Sequence, residues 1–179
     1  MSASGRGYRY VGPHHVIAAV NAADGGATIR TAADFADWVA ARSAAELDEP
    51  FTFVVGTDGA LRLAPRRSEH VACASGDRVL GAGEVSFYRD AGRWAVNEIS
   101  NQSTGYCPDL ASWPAVAQAL DQADLDRPDS FTHAVVFRRC PTCHEHNIVR
   151  EGDFVCVFCD TDLPQRWNAD PNADDSDGP

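Results

Sequence analysis

The chain has 179 residues, 44% of them hydrophobic, and a formal net charge of -11, which suits one domain of ordinary size, or one domain plus a small module, with a real core. Asp170, Asp174, Asp175 and Asp177 hold four of those charges and leave a body near -7. Such a body repels phosphate backbones, and the basic pairs Arg66-Arg67 and Arg138-Arg139 each suit one anion rather than a groove, so non-specific nucleic-acid binding is not expected.

All 15 basic side chains are Arg and none is Lys. That fits the Ala, Arg and Asp bias of a GC-rich bacterial genome, and it excludes Schiff-base and lysine-nucleophile chemistry for this chain. No charged-then-apolar signal opens the sequence, and no apolar run approaches the ~20 residues needed to span a bilayer. No membrane association is expected. With cysteines that read as metal ligands rather than disulfides, the reducing cytoplasm is the expected location.

Residues 1–7 are small and polar, and residues 165–179 are acidic with few apolar side chains, so both ends read as disordered. Between them the sequence predicts an α+β domain over 8–138 and a zinc ribbon over 139–164. The run from His14 to Val20 reads as a short strand broken by Gly25-Gly26. Thr31 and Asp34 form a capping-box pattern ahead of Phe35, Trp38 and Val39 at helical spacing, which predicts a helix over 32–45.

Hairpin signals follow. Residues 51–55 and 60–63 flank Gly56-Thr57-Asp58-Gly59; 69–74 and 78–81 flank Ser75-Gly76-Asp77; 84–88 and 93–99 flank Arg89-Asp90-Ala91-Gly92. Closely spaced Gly-containing turns predict an antiparallel, meander-type sheet. Residues 101–108 read as a polar loop, and Pro114 opens a second helix with Val116, Ala117, Leu120 and Ala123 as its apolar stripe. Residues 131–137 read as a strand leading into the first cysteine pair. The fold class is α+β: an antiparallel sheet, two helices, then the ribbon.

Cys140-Pro-Thr-Cys143 and Cys156-Val-Phe-Cys159 give C-x2-C-x12-C-x2-C. Each pair places two thiolates on one tight knuckle, and two knuckles complete a tetrahedron around Zn2+. Four thiolate ligands leave no open position for water, so the expected role is structural; an oxidised disulfide pair or an iron site are the alternatives. Residues 147–149 and 153–155 read as the ribbon's hairpin, turning at Glu151-Gly152. Over about 139–163 the pattern resembles the zinc-ribbon superfamily.

His144 and His146 give a His-x-His pair, as in metalloprotease sites of the JAB type, but the companion Glu, Ser and Asp pattern is missing. A zinc deaminase is excluded too. Its ligand-x-Glu motif would need a ligand where Ala82 stands, and its Pro-Cys-x-x-Cys a Pro where Arg139 stands.

A second concentration of polar residues lies between His70 and Tyr106. His70 and Glu84 are candidates for acid–base work, and Asn101, Ser103 and Tyr106, in the loop before the second helix, for ligand binding. Cys73 or Cys107 with His70 or His133 is a conceivable nucleophile pair, although a Cys of this kind is more often a small buried hydrophobe. His70, Ala82-Gly83-Glu84, and Asn101 with Ser103 to Pro108 resemble a module found at the ends of many bacterial proteins, some toxin-like. That module typically reads Ala-Gly-Glu, then Ser-Gly-His-Tyr-x-Pro; here Ser103-Thr104-Gly105-Tyr106 stands in the loop, without its histidine. The expected function is binding of a small ligand or peptide segment at this site, with or without catalysis. The alternative is a non-catalytic adaptor that uses its ribbon to contact a protein partner.

Overall fold

A computed structural model describes residues 5–173. Alternation of apolar side chains builds its central sheet from strands at Ala27–Ile29 (β1), Phe51–Gly56 (β2), Leu61–Ala64 (β3), Val79–Asp90 (β4) and Arg93–Ile99 (β5). The order is β1-β3-β2-β4-β5, with every pairing antiparallel. A second, two-stranded sheet pairs Val136–Arg139 (β6) with His146–Val149 (β7). Short helices lie at His14–Ala18 (α1), Ala44–Leu47 (α3) and His70–Cys73 (α4), and longer ones at Ala32–Ala40 (α2) and Trp113–Gln122 (α5).

One face of the sheet carries Phe51, Phe53, Val55, Leu61, Leu63, Val85, Phe87, Val96 and Ile99, and buries them under α2 and α5. Phe35 and Trp38 of α2 meet Phe87 and Phe51 edge-on, with ring centroids 5.1 and 4.8 Å apart. The opposite face packs Val54, Val79 and Ala82 against Val71, Cys73 and Ala74 of the α4 segment and against Tyr8 and Tyr106. That cover ends at Ala82. Glu84 and Ser86 continue the same face by the two-residue period and are only half-buried.

Several local expectations are corrected. Residues 14–18 are helical rather than extended: the chain enters a turn after Pro13 and packs Val16 and Ile17 on the second core. The capping box at Thr31 and Asp34 forms, but a second one at Ser43 and Glu46 starts α3, so the expected single helix over 32–45 is two. Residues 70–73 form a helical turn, not a strand. The segments expected at 78–81 and 84–88 are one strand, β4. Gly81 and Gly83 within it mark close approaches, not breaks. A Cβ at Gly81 would stand 2.6 Å from Val116 of α5, and one at Gly83 would collide with the Ser100 carbonyl.

The strand expected over 131–137 forms only from Val136, as β6, while residues 126–133 run along the outer edge of β5. Val96 donates to the Asp126 carbonyl, and the Thr132 hydroxyl both receives from Ile99 N–H and donates to Ile99 C=O. This covers an edge that would otherwise expose unpaired backbone groups.

The expected disorder of the C-terminal segment does not hold over 165–173. Trp167 meets Tyr8 edge-on at 5.3 Å and donates to the Cys107 carbonyl, and Ala169 is buried. Asp170 takes a bidentate pair of bonds from Arg9, at 2.9 and 2.8 Å, which holds its carboxyl below the usual carboxylate range. An aromatic ring, a small apolar residue, an ion pair and the Asn168 amide on the Arg139 backbone dock a stretch whose average composition reads as solvated. Residues 1–4 and 174–179 of the expected disordered ends lie outside the described residues.

Candidate metal centre and sheet cleft

The two cysteine knuckles are near copies of each other. In the first, Cys140 N–H donates to Glu145 C=O and His144 N–H to Cys140 C=O; in the second, Cys156 N–H donates to Thr161 C=O and Asp160 N–H to Cys156 C=O. His144 and Asp160, each four residues after the first cysteine of its pair, take left-handed backbone with φ of 66° and 60°. Thr142 N–H donates to Cys140 Sγ at 3.4 Å, and the Glu145, Phe158 and Thr161 N–H groups favour the ionised forms of Cys143, Cys156 and Cys159.

The four sulfurs converge within 4.8 Å of one another, and the closest pairs, Cys140 with Cys159 and Cys143 with Cys156, are 3.6 Å apart. For metal–sulfur bonds of about 2.3 Å, a regular tetrahedron puts sulfurs about 3.8 Å apart. The arrangement therefore fits one ion shared by both knuckles. All six cysteines are free thiols.

Electrostatics separates the four groups. Burial opposes ionisation of Cys156, but the Phe158 N–H and the Asn147 amide outweigh it and bring the thiol down to about 6. Cys143 is pushed up to about 12, because burial and the three neighbouring cysteines overcome the help of the Glu145 N–H. Thiolates this close repel, and a multivalent cation among them is what lets all four ionise together.

A ring of contacts fixes the centre. Asn147, 3% exposed, donates through Nδ2 to Cys156 Sγ at 3.4 Å and accepts from Val157 N–H at 2.9 Å, tying β7 to the second knuckle. Arg138 donates to the Pro164 and Gln165 carbonyls, and Asn168 exchanges two bonds with the Arg139 backbone. The hairpin around the centre is β6 with β7, with the first knuckle as its loop. It is not the expected 147–149 with 153–155; 146–149 pair with β6, and an isolated bridge joins Arg150 to Asp153. His144 and His146 lie outside the sulfur cluster, and His146 Nε2 sits 2.7 Å from Ala169 C=O. Between Cys156 and Cys159, Val157 and Phe158 stand 75% and 63% exposed.

The second candidate site does not gather as expected. Asn101 is fully buried; its Nδ2 donates to the Pro108 and Val135 carbonyls and its Oδ1 accepts from Val135 N–H, so its bonding capacity is spent joining the loop to the chain before β6. Ser103 accepts from Tyr106 N–H inside the loop. Tyr106 is buried in the second core, donates to Asp77 C=O at 2.6 Å, and is raised well above the usual phenol range by burial. These three spend their bonds on the loop and the main chain around it.

His70 opens α4, and its Nε2 lies 2.9 Å from the Gly83 carbonyl. Since that partner only accepts, Nε2 carries the proton. Burial lowers the pKa of the ring. Neither other cysteine pairs with a histidine: Cys73 donates to Arg62 C=O and Cys107 to Thr104 C=O. Burial pushes their thiols up to about 11 and about 12, which removes the nucleophile pairs considered from sequence.

Of the expected five, Asn101, Ser103 and Tyr106 are buried, whereas Glu84, half-buried like His70, opens on a cleft. It lines a cleft of about 190 Å3 with Ser86, Glu98, Ser100, Gln102 and His133, where the covered half of the sheet face ends. Sequence reading missed Ser86, Glu98 and His133 as cleft residues, and Asn147 and Asn168 as supports of the metal centre. For the first group the available signal is the two-residue alternation shared by Glu84, Ser86, Glu98 and Ser100.

Comparison with family models, with curated proteins and with solved structures found no match to this chain. Among the described residues no helix is long and apolar enough to cross a membrane.

Proposed function

We propose that the protein is a zinc-ribbon binding protein of the cytoplasm. Cys140, Cys143, Cys156 and Cys159 hold a structural Zn2+, and the α+β domain binds a small ligand or peptide segment in the cleft lined by Glu84. The observation that carries the metal assignment is the convergence of four thiols within 4.8 Å on two matching knuckles. Four sulfur ligands complete the tetrahedron, so the ion offers no position to substrate or water and serves to hold the knuckles together. In the domain, His70 is held by a backbone carbonyl, and burial of Cys73 and Cys107 disfavours their thiolates. That supports binding without covalent catalysis. X-ray absorption at the zinc edge should show four sulfur neighbours at about 2.3 Å; a nitrogen or oxygen neighbour in the first coordination sphere would overturn the structural assignment.

The exposed pair Val157 and Phe158 favours a second reading, in which the ribbon tip docks on a protein. Residues 139–164 carry two Arg against five carboxylates, and four thiolates around Zn2+ leave a further charge of about -2. A partner for this tip has an apolar pocket with a basic rim. Replacing both residues by Ser should abolish partner capture by zinc-loaded protein with zinc content and melting temperature unchanged; unaltered capture would sink this reading.

A further inference from the structure

We infer that the exposed knuckle tip, Val157 with Phe158, docks on a second copy of this chain, in the cleft where α3, the start of β2 and the end of β3 meet. This names the partner for the ribbon-tip reading proposed above and rests on that reading.

The tip calls for an apolar pocket with a basic rim, and the molecule carries one. Ala45 of α3, Pro50 and Phe51 where β2 begins, and Pro65 just after β3 line a cleft of about 670 Å3. That is within the range of about 300–1,000 Å3 in which pockets bury a ligand, and it is roomy enough for two adjacent apolar side chains. Two of the carboxylates around it are already engaged: Arg42 holds Glu46 at 3.5 Å and Arg66 holds Glu49 at 2.9 Å. What remains is Arg67, exposed and with no ion pair among the described residues, and Glu84, which is half-buried. The free charge on the open rim is therefore positive.

The tip is the complement of this cleft. Val157 and Phe158 are the most exposed large hydrophobic side chains among the described residues. The backbone beneath them is held: Val157 N–H donates to Asn147 Oδ1 at 2.9 Å, and Asp160 N–H to Cys156 C=O at 3.0 Å. An anchor held in this way loses little conformational freedom on docking, and an aromatic anchor filling a pocket is the kind of contact that dominates an interface. Asp160, two residues beyond Phe158, is exposed and also makes no ion pair among the described residues. Its carboxylate suits Arg67 of the receiving copy. Within one copy the tip is exposed and the cleft open, so the two surfaces meet only between copies, and the contact is heterologous. The net charge of -11 opposes such a meeting at low salt. At about 0.15 M salt, where fields reach only about 8 Å, the charges at the contact decide.

Sedimentation of the zinc-loaded, full-length protein at physiological salt is the test. A contact this small is weak, so reversible association should emerge as the concentration rises toward about 1 mM. Phe158→Ser removes the anchor, and Ala45→Glu sets a charge in the pocket from an exposed helix position. Each should weaken association by about 10-fold or more. Mixing these two variants should restore it, since one keeps the cleft and the other keeps the tip. Arg67→Gln and Asp160→Asn should each weaken it by about 3-fold, and together by no more than either alone. Zinc content and melting temperature should stay unchanged; where Phe158→Ser disturbs the knuckle, Ala45→Glu decides. Wild-type protein that stays monomeric throughout would overturn the second copy as the partner, while the tip reading keeps its own capture test. Association that survives Ala45→Glu, or that mixing fails to restore, would overturn the cleft as the dock.

Discussion

At the residue scale, position matters more than residue type. Asn101 and Asn147 are both buried asparagines with every bond to the main chain or to sulfur, yet one ties a loop and the other supports the four-cysteine cluster. Asn147 ties β7 to the second knuckle through Cys156 Sγ and Val157 N–H. Groups behind metal ligands typically change affinity by 10–100-fold when removed. Asn147→Ala should therefore weaken zinc binding by about 10-fold in a competition titration against a colorimetric chelator; an unchanged competition curve would mean that the amide only fills space. The four cysteines were legible from spacing alone, because a tetrahedral thiolate site constrains sequence separation directly. The surroundings of the polar loop residues were not. Asn101, Ser103 and Tyr106 are polar residues in a loop, and sequence cannot show whether such side chains face solvent or their own backbone.

At the element scale, the glycines of β4 tell the same story. Ala82-Gly83-Glu84 invited a reading as a break followed by a functional carboxylate. The strand runs through it, and Gly83 is required because the Ser100 carbonyl crosses where a Cβ would stand. Gly83→Ala should cost about 2–3 kcal/mol by forcing the β4 and β5 backbones apart, read as a lowered midpoint in urea unfolding with an unchanged slope. A cost near zero would show that the loop gives way freely. The hairpin at β2–β3, the capping box at Thr31 and the Pro114 helix start were legible because each rests on interactions within a few residues. The α1 and α4 turns were not. They are helices of five and four residues, held by packing on the second core, and their apolar runs fit a strand equally well.

At the scale of the whole molecule, the chain ends fasten its parts together. The 165–173 segment touches Arg9 and Tyr8 near one end, Cys107 in the loop, and Arg139 and His146 of the ribbon. Composition could not show this, since the contacts come from single residues set far apart in sequence. The ribbon segment has a small core of Cys140, Cys156 and Leu163, so with a metal held as proposed its order should depend on that ion far more than the order of the five-stranded sheet does. Chelation should therefore remove hydrogen-exchange protection over 136–163 while β2 to β5 keep theirs. Loss of protection across the entire chain would instead mean that ribbon and sheet fold as one cooperative unit. Because all four thiols must be ionised to bind, zinc affinity should fall as pH falls, most steeply below the Cys156 value of about 6.

Metal analysis of the purified, reduced protein tests the central assignment most directly. One tightly held zinc per chain, lost when Cys140 and Cys156 are both replaced by Ser, is the expected result. Protein that is fully reduced, folded and metal-free even after incubation with zinc would contradict it.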